Sequence, residues 1–312
     1  MVKVDLITGF LGAGKTTFLK EYARYFMDKG QKIGILENDY GAVNVDMLLL
    51  QELRGELCEL EMVAGACDDD CHKRRFKTKL IAMGMSGYDR VIIEPSGLFD
   101  MDEFFDSLRE EPLDRWYEIG NVIAIVDAKL NTDMNEATRY IFGAQIANSG
   151  CIIYSKLDTA TSEELSNTKA LVKCISDELD CYRKLDKIGI EKQLADFDIE
   201  DWKKIEKSGY QVSDYVKKMP ISAAGFSTAY LLEPGITKDN AQSIVDALFK
   251  DEMCGNIIRV KGFYRLDEDS WAQLNATRGE CTIKECEAGQ DVLIAIGYDL
   301  DSKRIEEMVK KG

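Results

Sequence analysis

Gly9-Phe10-Leu11-Gly12-Ala13-Gly14-Lys15-Thr16 is where this chain most plainly carries chemistry. The octet fills every fixed position of G-x-x-x-x-G-K-[ST], a loop that wraps a phosphate group. Glycines let the backbone close around the phosphate, so several N–H groups and the start of the next helix point at it. Gly9, Gly12, Ala13 and Gly14 supply that cradle. Lys15 can reach the β- and γ-phosphates, and the Thr16 hydroxyl can ligate Mg²⁺.

Two further segments bear on which nucleotide is bound. Ile92-Ile93-Glu94-Pro95-Ser96-Gly97 is an apolar run that ends in a carboxylate and then a glycine. Glu94 falls where a water-mediated Mg²⁺ contact belongs, and the Gly97 N–H can sense the γ-phosphate. A surface acid at a strand end is the plainer alternative. Tyr154-Ser155-Lys156-Leu157-Asp158 is similar to a guanine-reading N/T/S-K-x-D motif. Asp158 can accept from guanine N1 and N2, and the Lys156 stem can pack over the base, with Ser155 leading the motif. Adenine lacks that donor pair, which favours GTP and GDP. Ser222, in Ser222-Ala223-Ala224, is a candidate last base-contacting residue.

These loops need elements to hold them. The apolar run 4–7 reads as a strand. A helix is predicted over 15–28, with Phe18, Tyr22 and Phe26 beside Leu19, Ala23 and Met27 on one face. Further strands are predicted over 32–37, 90–94, 121–126 and 151–155. Each is a compact β-branched run without clean alternation, as expected for strands buried on both faces. Such a βαβ series predicts an α/β fold, a mostly parallel sheet flanked by helices. Residues 159–218 read as a helical elaboration, opening on a capping box at Thr161 and Glu164. A helix over 239–250, strands over 257–264, 281–283 and 292–296, and a helix over 302–310 predict a small α+β C-terminal domain. The expected division is 1–230 for the nucleotide domain, 231–254 for a connecting helix and 255–312 for the C-terminal domain.

Composition narrows the partners. The 312 residues suggest two domains, and 45% hydrophobic with 31% charged residues is the balance of a globular chain. Lys plus Arg is 40 against 56 Asp plus Glu, a net charge of −16. That surface repels phosphate backbones and anionic lipids, so neither nucleic acid nor a membrane is an expected partner. No apolar run approaches the roughly 20 residues of a membrane helix. The 9 cysteines are an odd, scattered set unlike a secreted disulfide framework, and no signal-peptide pattern precedes the glycine loop. The expected compartment is the cytoplasm.

Taken together, these segments resemble the CobW family of P-loop GTPases. The resemblance rests on the phosphate loop extended through Thr17 and on Glu37-Asn38-Asp39-Tyr40-Gly41-Ala42-Val43-Asn44-Val45-Asp46, which is similar to that family's N-E-F-G-E-x-x-x-D switch segment. It rests also on E-x-x-G at Glu94 to Gly97, Val126-Asp127-Ala128, Gln145-Ile146-Ala147 and, in the C-terminal part, Arg259-Val260-Lys261-Gly262-Phe263 and Leu274-Asn275-Ala276-Thr277. The resemblance implies a P-loop NTPase fold and a low-turnover GTPase acting as a metallochaperone or metallocenter-assembly factor. It implies metal binding of the zinc or cobalt class coupled to the nucleotide state, and a client metalloenzyme or cofactor enzyme. Within the switch segment Asp39 is the candidate for positioning or deprotonating the attacking water, with Glu37 as the alternative.

That family carries a G-C-x-C-C loop between the switch segment and E-x-x-G. Here the place reads Gly65-Ala66-Cys67-Asp68-Asp69-Asp70-Cys71-His72, and Ala42 stands where the family has a second glutamate. Cys67, Cys71 and His72, the only histidine of the chain, are candidate ligands for Zn²⁺ or Co²⁺. Buried free thiols beside a solvated acidic turn are the plainer reading. Cys281 and Cys286 make a weaker pair, and Lys73-Arg74-Arg75 with Lys77 and Lys79 reads as a charged helix face. Three other functions fit the same loop: a metal-independent GTP-gated protein-binding switch, a small-molecule kinase and a nucleotide-binding module without turnover.

Overall fold

The computed structural model describes residues 1–38, 45–63, 69–97, 99, 101–130, 134–181, 183–211, 226–267, 270–286 and 289–311. They divide into two compact units, one built on each of two sheets. The first unit runs through β1 (Val2–Thr8), α1 (Lys15–Met27), β2 (Ile33–Asn38), the end of α2 (Val45–Leu50, whose residues 45–48 group with the second unit), β3 (Cys58–Val63), α3 (Asp69–Gly84), β4 (Arg90–Pro95), α4 (Met101–Arg109), α5 (Leu113–Trp116), β5 (Tyr117–Asp127), α6 (Glu136–Asn148), β6 (Cys151–Ser155), α7 (Ser162–Glu178), β7 (Gly189–Ile190) and α8 (Ile199–Glu206). Its strands lie in the order β3-β2-β4-β1-β5-β6-β7, and every pairing is parallel.

Strand side chains alternate between two helical layers, which is why the strands read as unbroken apolar runs. Ile7, Ile35, Ile92, Ile123 and Ile153 pack with α1 residues Phe18, Leu19, Tyr22 and Phe26. Val4, Leu6, Leu36, Val91 and Ile93 pack with α3 and α4 residues Phe76, Leu80, Phe104 and Leu108. The central strand β1 lies between β4 and β5, where the order of strands turns from one side of the sheet to the other. A ligand crevice is expected at the carboxyl end of such a strand.

Among its described residues the stretch 159–218 carries the helices α7 and α8, but it also adds to the sheet. β7 lies within it and extends the sheet, with Ile152 and Ile153 of β6 opposite Gly189 and Ile190. Its helix α8 completes the core beside α1: Trp202 stacks on Tyr25 at 5.7 Å between ring centroids and lies 5.8 Å from Phe18. A strand of two residues has no period to read, and its place is set by pairing alone.

A buried polar cluster crosses the middle of this sheet. Asp5 is fully buried, and its carboxylate accepts from Tyr22 Oη at 2.7 Å, from the Asn121 backbone N–H at 2.7 Å, from Asn121 Nδ2 at 3.3 Å and from the Arg90 guanidinium. Arg90 also stacks over the Phe26 ring at 4.1 Å. Asn121 Oδ1 in turn accepts the Gly209 N–H at 2.8 Å, which ties the segment after α8 to β5. Gly120 makes room for the carboxylate, since a Cβ there would lie 2.3 Å from Asp5 Oδ1.

The second unit comprises β8 (Phe226–Leu232), α9 (Ala241–Lys250), β9 (Asn256–Arg265), β10 (Trp271–Thr277), β11 (Glu280–Cys286), β12 (Val292–Tyr298) and α10 (Ser302–Lys311). Its sheet has the order β11-β10-β9-β12-β8, antiparallel throughout. Ile244, Val245 and Leu248 of α9 and Ile305 and Val309 of α10 share a core with Val260, Leu274 and Leu293. β8 pairs with β12, so residues 226–232 belong to this sheet. Among the described residues no helix is long and apolar enough to cross a membrane.

Two predictions follow from burial. Asp5→Asn leaves the Arg90 charge buried without its counter-ion and lowers stability by about 3–5 kcal/mol; an Asp5→Leu, Arg90→Met double variant recovers part of that, as read from denaturant midpoints. Burial also pushes the Cys151 thiol up from its ordinary 9.0 to about 12 and the Cys58 thiol up to about 11. Burial, reinforced by Asp5, holds the Tyr22 phenol well above its usual range. Groups whose folded pKa is raised keep their stabilising contribution below the unfolded value and lose it as pH rises. Thermal midpoints measured across an alkaline series should therefore begin to fall near about pH 9 and fall faster above about pH 10.

Candidate functional site

The loop leaving β1 is shaped by three glycines with positive φ: Gly9 at 141°, Gly12 at 77° and Gly14 at 92°. Gly9 is pressed onto β5, where a Cβ would stand 2.2 Å from the Ile125 carbonyl oxygen. Gly14 takes the left-handed conformation at the N-cap of α1 and makes no side-chain cap. The first-turn N–H groups therefore face the loop, an arrangement suited to an anion. Thr17 lies exposed in that turn, and Ala13 is buried beneath the loop.

Lys15 is 6% exposed, and its amine donates to the Gly9 carbonyl at 3.1 Å and the Phe10 carbonyl at 3.4 Å. Its ammonium thus folds back over the loop it belongs to. Thr16 Oγ1 donates to Glu94 Oε1 at 2.9 Å, joining the start of α1 to the end of β4. Glu37 at the end of β2 stands beside Glu94 in the parallel register, and both are almost fully buried. Alternation places these two carboxylates on the face that carries Ile35, Ile92 and α1. Thr16 and Glu94 supply hydroxyl and carboxylate oxygen, the hard donors that Mg²⁺ takes.

Gly97, three residues beyond Glu94, lies against the phosphate loop, since a Cβ on it would be 2.7 Å from the Leu11 nitrogen. Its carbonyl accepts from Gln145 Nε2 at 3.1 Å. On the other flank Ser155 Oγ donates to the Ala13 carbonyl at 2.6 Å, which fastens the end of β6 to the phosphate loop. Lys156 follows in the left-handed region at φ 55°, and its amine pairs with Asp127 at 2.8 Å. Asp158 is exposed. Gly9, Gly12, Ala13, Gly14, Lys15, Thr16, Glu94, Gly97 and Ser155 thus converge at the carboxyl edge of the sheet.

Asp39, Cys67 and Ser222 lie outside the described residues. Cys71 is partly buried and His72 fully buried in the first turn of α3. Among the described residues no three of His, Cys, Asp and Glu group as a metal site. Cys281 and Cys286 stand opposite Ala276 and Trp271 of β10, and their odd spacing puts them on opposite faces of β11. The basic run is a helix face: Lys73, Arg74 and Arg75 are exposed, Lys77 pairs with Glu110, and Lys79 meets Glu61 at 2.7 Å. The contacts of Gln145 and Asp127 are not readable locally, because each meets its partner only through the fold; Gln145-Ile146-Ala147 marks the first position but not its partner. The V-D-A strand end was the one local signal for Asp127.

The profile of the CobW/HypB/UreG nucleotide-binding domain matches residues 3–183. The chain belongs to this family. Residues 234–311 match the C-terminal domain of the cobalamin synthesis protein cobW. The zinc chaperone YeiR of Escherichia coli is 30% identical over 163 residues, 52% of this chain and 49% of YeiR. The zinc chaperone YjiA of the same organism is 30% identical over 171 residues, 52% of this chain and 52% of YjiA. This CobW-family chain therefore spans about half the length of the curated relatives it matches. Superposition on the Zn(II)-bound YjiA GTPase covers 98% of this chain and 97% of that one, at 17% identity and a TM-score of 0.40.

The glycines give a direct test of the loop. Gly9→Ala drives a methyl group into the Ile125 carbonyl, so it should abolish nucleotide binding and lower the thermal midpoint by many degrees. Gly30 has a positive φ of 73° but no atom within 4 Å of a Cβ. Gly30→Ala should cost only about 1–2 kcal/mol and leave nucleotide binding intact in a fluorescent-nucleotide titration.

Proposed function

We propose that this chain binds and hydrolyses GTP and uses the cycle to deliver a metal of the zinc or cobalt class to a client metalloenzyme or cofactor enzyme. The observation that carries the reading is the Thr16–Glu94 hydrogen bond beneath a complete phosphate loop, with Gly97 seated against Leu11. Family membership and relatives named zinc chaperones support it. Soluble cytoplasm is the setting we assign, since reduced thiols persist there.

Each site residue has a task in this reading. Lys15 exchanges two backbone carbonyls for β- and γ-phosphate oxygens, and the loop N–H groups from Gly12 to Thr16 hold the remaining phosphate charge. Mg²⁺, held by Thr16 and through water by Glu94, would neutralise charge on the β- and γ-oxygens. Asp39, or Glu37 in its stead, orients the attacking water. Gly97 senses the γ-phosphate. Asp158 reads the guanine edge while Lys156, pinned by Asp127, lays its stem along the base. Cys67, with Cys71 and His72 of the first turn of α3, forms the metal-receiving group in this reading.

The test is calorimetric titration of Zn²⁺, then Co²⁺, into reduced protein holding GDP or a non-hydrolysable GTP analogue. We expect affinities that differ at least tenfold between the two forms, about 1.4 kcal/mol of coupling. Alkylation should follow: bound Zn²⁺ protects Cys67 and Cys71, exposed Cys174 reacts either way, and buried Cys58 and Cys151 stay inert until unfolding. Lys15→Ala should abolish GTP turnover. Two cysteines where the family carries G-C-x-C-C favour a second reading, a GTP-gated switch without metal; absence of Zn²⁺ and Co²⁺ binding in both forms would establish it. Phosphate release without any acceptor disposes of a kinase.

A further inference from the structure

Gln145, in the third turn of α6, is fully buried. One half of its amide is engaged, with Nε2 donating to the Gly97 carbonyl at 3.1 Å. The other half, Oε1, is buried and has no hydrogen-bond partner among the described residues. An unsatisfied buried acceptor costs more than one neutral hydrogen bond contributes net. A leucine of similar volume would avoid that cost, so stability does not account for glutamine here. What the amide does is fix Gly97. That glycine is held from two sides, by the amide of α6 and by steric contact with Leu11 of the phosphate loop, where a Cβ would lie 2.7 Å from the backbone nitrogen and 2.9 Å from Cδ2.

We infer that Gln145 is a positioning residue that pre-orders Gly97 for the γ-phosphate, and so sets the preference of this site for the nucleoside triphosphate over the diphosphate. The inference rests on the GTP reading above. GDP needs the loop 9–16 and the base-reading segment, whereas the hydrogen bond of Gln145 goes to Gly97. The triphosphate alone engages Gly97. Without the amide, the backbone there must be ordered at each triphosphate binding, a penalty equivalent to about tenfold in affinity.

The experiment measures GDP and a non-hydrolysable GTP analogue, each with Mg²⁺, by calorimetry on the full chain and on Gln145→Leu, with single-turnover GTP hydrolysis and thermal melts alongside. We expect the analogue to bind about tenfold more weakly, GDP to stay within about twofold, and single-turnover hydrolysis to slow about tenfold, with the thermal midpoint held or raised. Equal weakening of both nucleotides, or no change in their ratio, overturns the inference. Gly97→Ala provides a second variant should Gln145→Leu fail to fold: its methyl group displaces the glycine from Leu11 and should produce the same selective loss, and an unchanged ratio there overturns the inference as well. Wild-type protein that binds GDP with a variant ratio unchanged defeats only this inference. Wild-type protein that binds neither nucleotide defeats the GTP reading and this inference with it.

Discussion

The Asp5 carboxylate at the centre of the parallel sheet is the constraint from which the rest is hung. A buried charge is tolerated only when its lone pairs are filled and its counter-ion is close. Asp5 meets both conditions by drawing on β4 through Arg90, on α1 through Tyr22 and on β5 through Asn121. β1 and α1 are the two elements between which the phosphate loop is strung. Fixing their relation three to four residues before the loop begins leaves the loop little choice of path. The same Asn121 anchors Gly209, so the segment that carries Trp202 onto α1 is tied to that carboxylate too. Removing one partner strands several others, which makes the cluster cooperative.

At the carboxyl edge of the sheet the loop is braced differently, by three short-range contacts with no net charge of their own. Gly9 abuts Ile125 of β5, Leu11 abuts Gly97 after β4, and Ala13 accepts from Ser155 at the end of β6. Each contact comes from a different strand. The loop is thereby held at beginning, middle and end, and the Ala13 N–H closes it on itself by donating to the Phe10 carbonyl at 3.2 Å. Lys15 is the one charged residue of the loop 9–16, and its bonds to Gly9 and Phe10 are the kind that phosphate oxygens readily replace. An anionic phosphate oxygen adds to such a charge-assisted bond the Coulombic attraction of opposite charges that a neutral carbonyl lacks.

Much of this was legible from residue order, and the reason is locality. The phosphate loop, E-x-x-G and S-K-x-D each lie within one strand-to-helix turn, so their spacing carries their geometry. The strands β1, β2, β4, β5 and β6 are apolar on both faces and stand out as unbroken runs. The edges were harder. β3 mixes Glu59 and Glu61 into its strand because its outer side needs charge, with Glu61 paired to Lys79. β10 buries Ala272, Leu274 and Ala276, two of them too small to mark a strand by hydropathy. β7 is two residues long. In the site, Lys156 was read from its motif, whereas its tether to Asp127 crosses 29 residues of chain and follows only from β5 and β6 lying side by side.

A single hydrogen bond such as that from Gln145 to Gly97 can define a position only if the helix that presents it is itself immobile. α6 meets that condition at both ends. Asn135 caps its first turn by accepting the Thr138 N–H at 2.9 Å, and the Arg183 guanidinium donates to the Ala147 carbonyl in its last turn at 2.8 Å and to the Ser149 carbonyl at its C-cap at 2.7 Å. Along its length Gly143 admits α7 so closely that a Cβ would lie 2.3 Å from Leu179 Cδ1. Burial lowers the pKa of Arg183 without approaching neutrality, since an arginine stays charged in any protein interior, and so the cap holds at every working pH. Two glycines with opposite duties therefore frame this helix: Gly143 lets a neighbour in to lock it, and Gly97 receives the Gln145 amide that the locked helix aims.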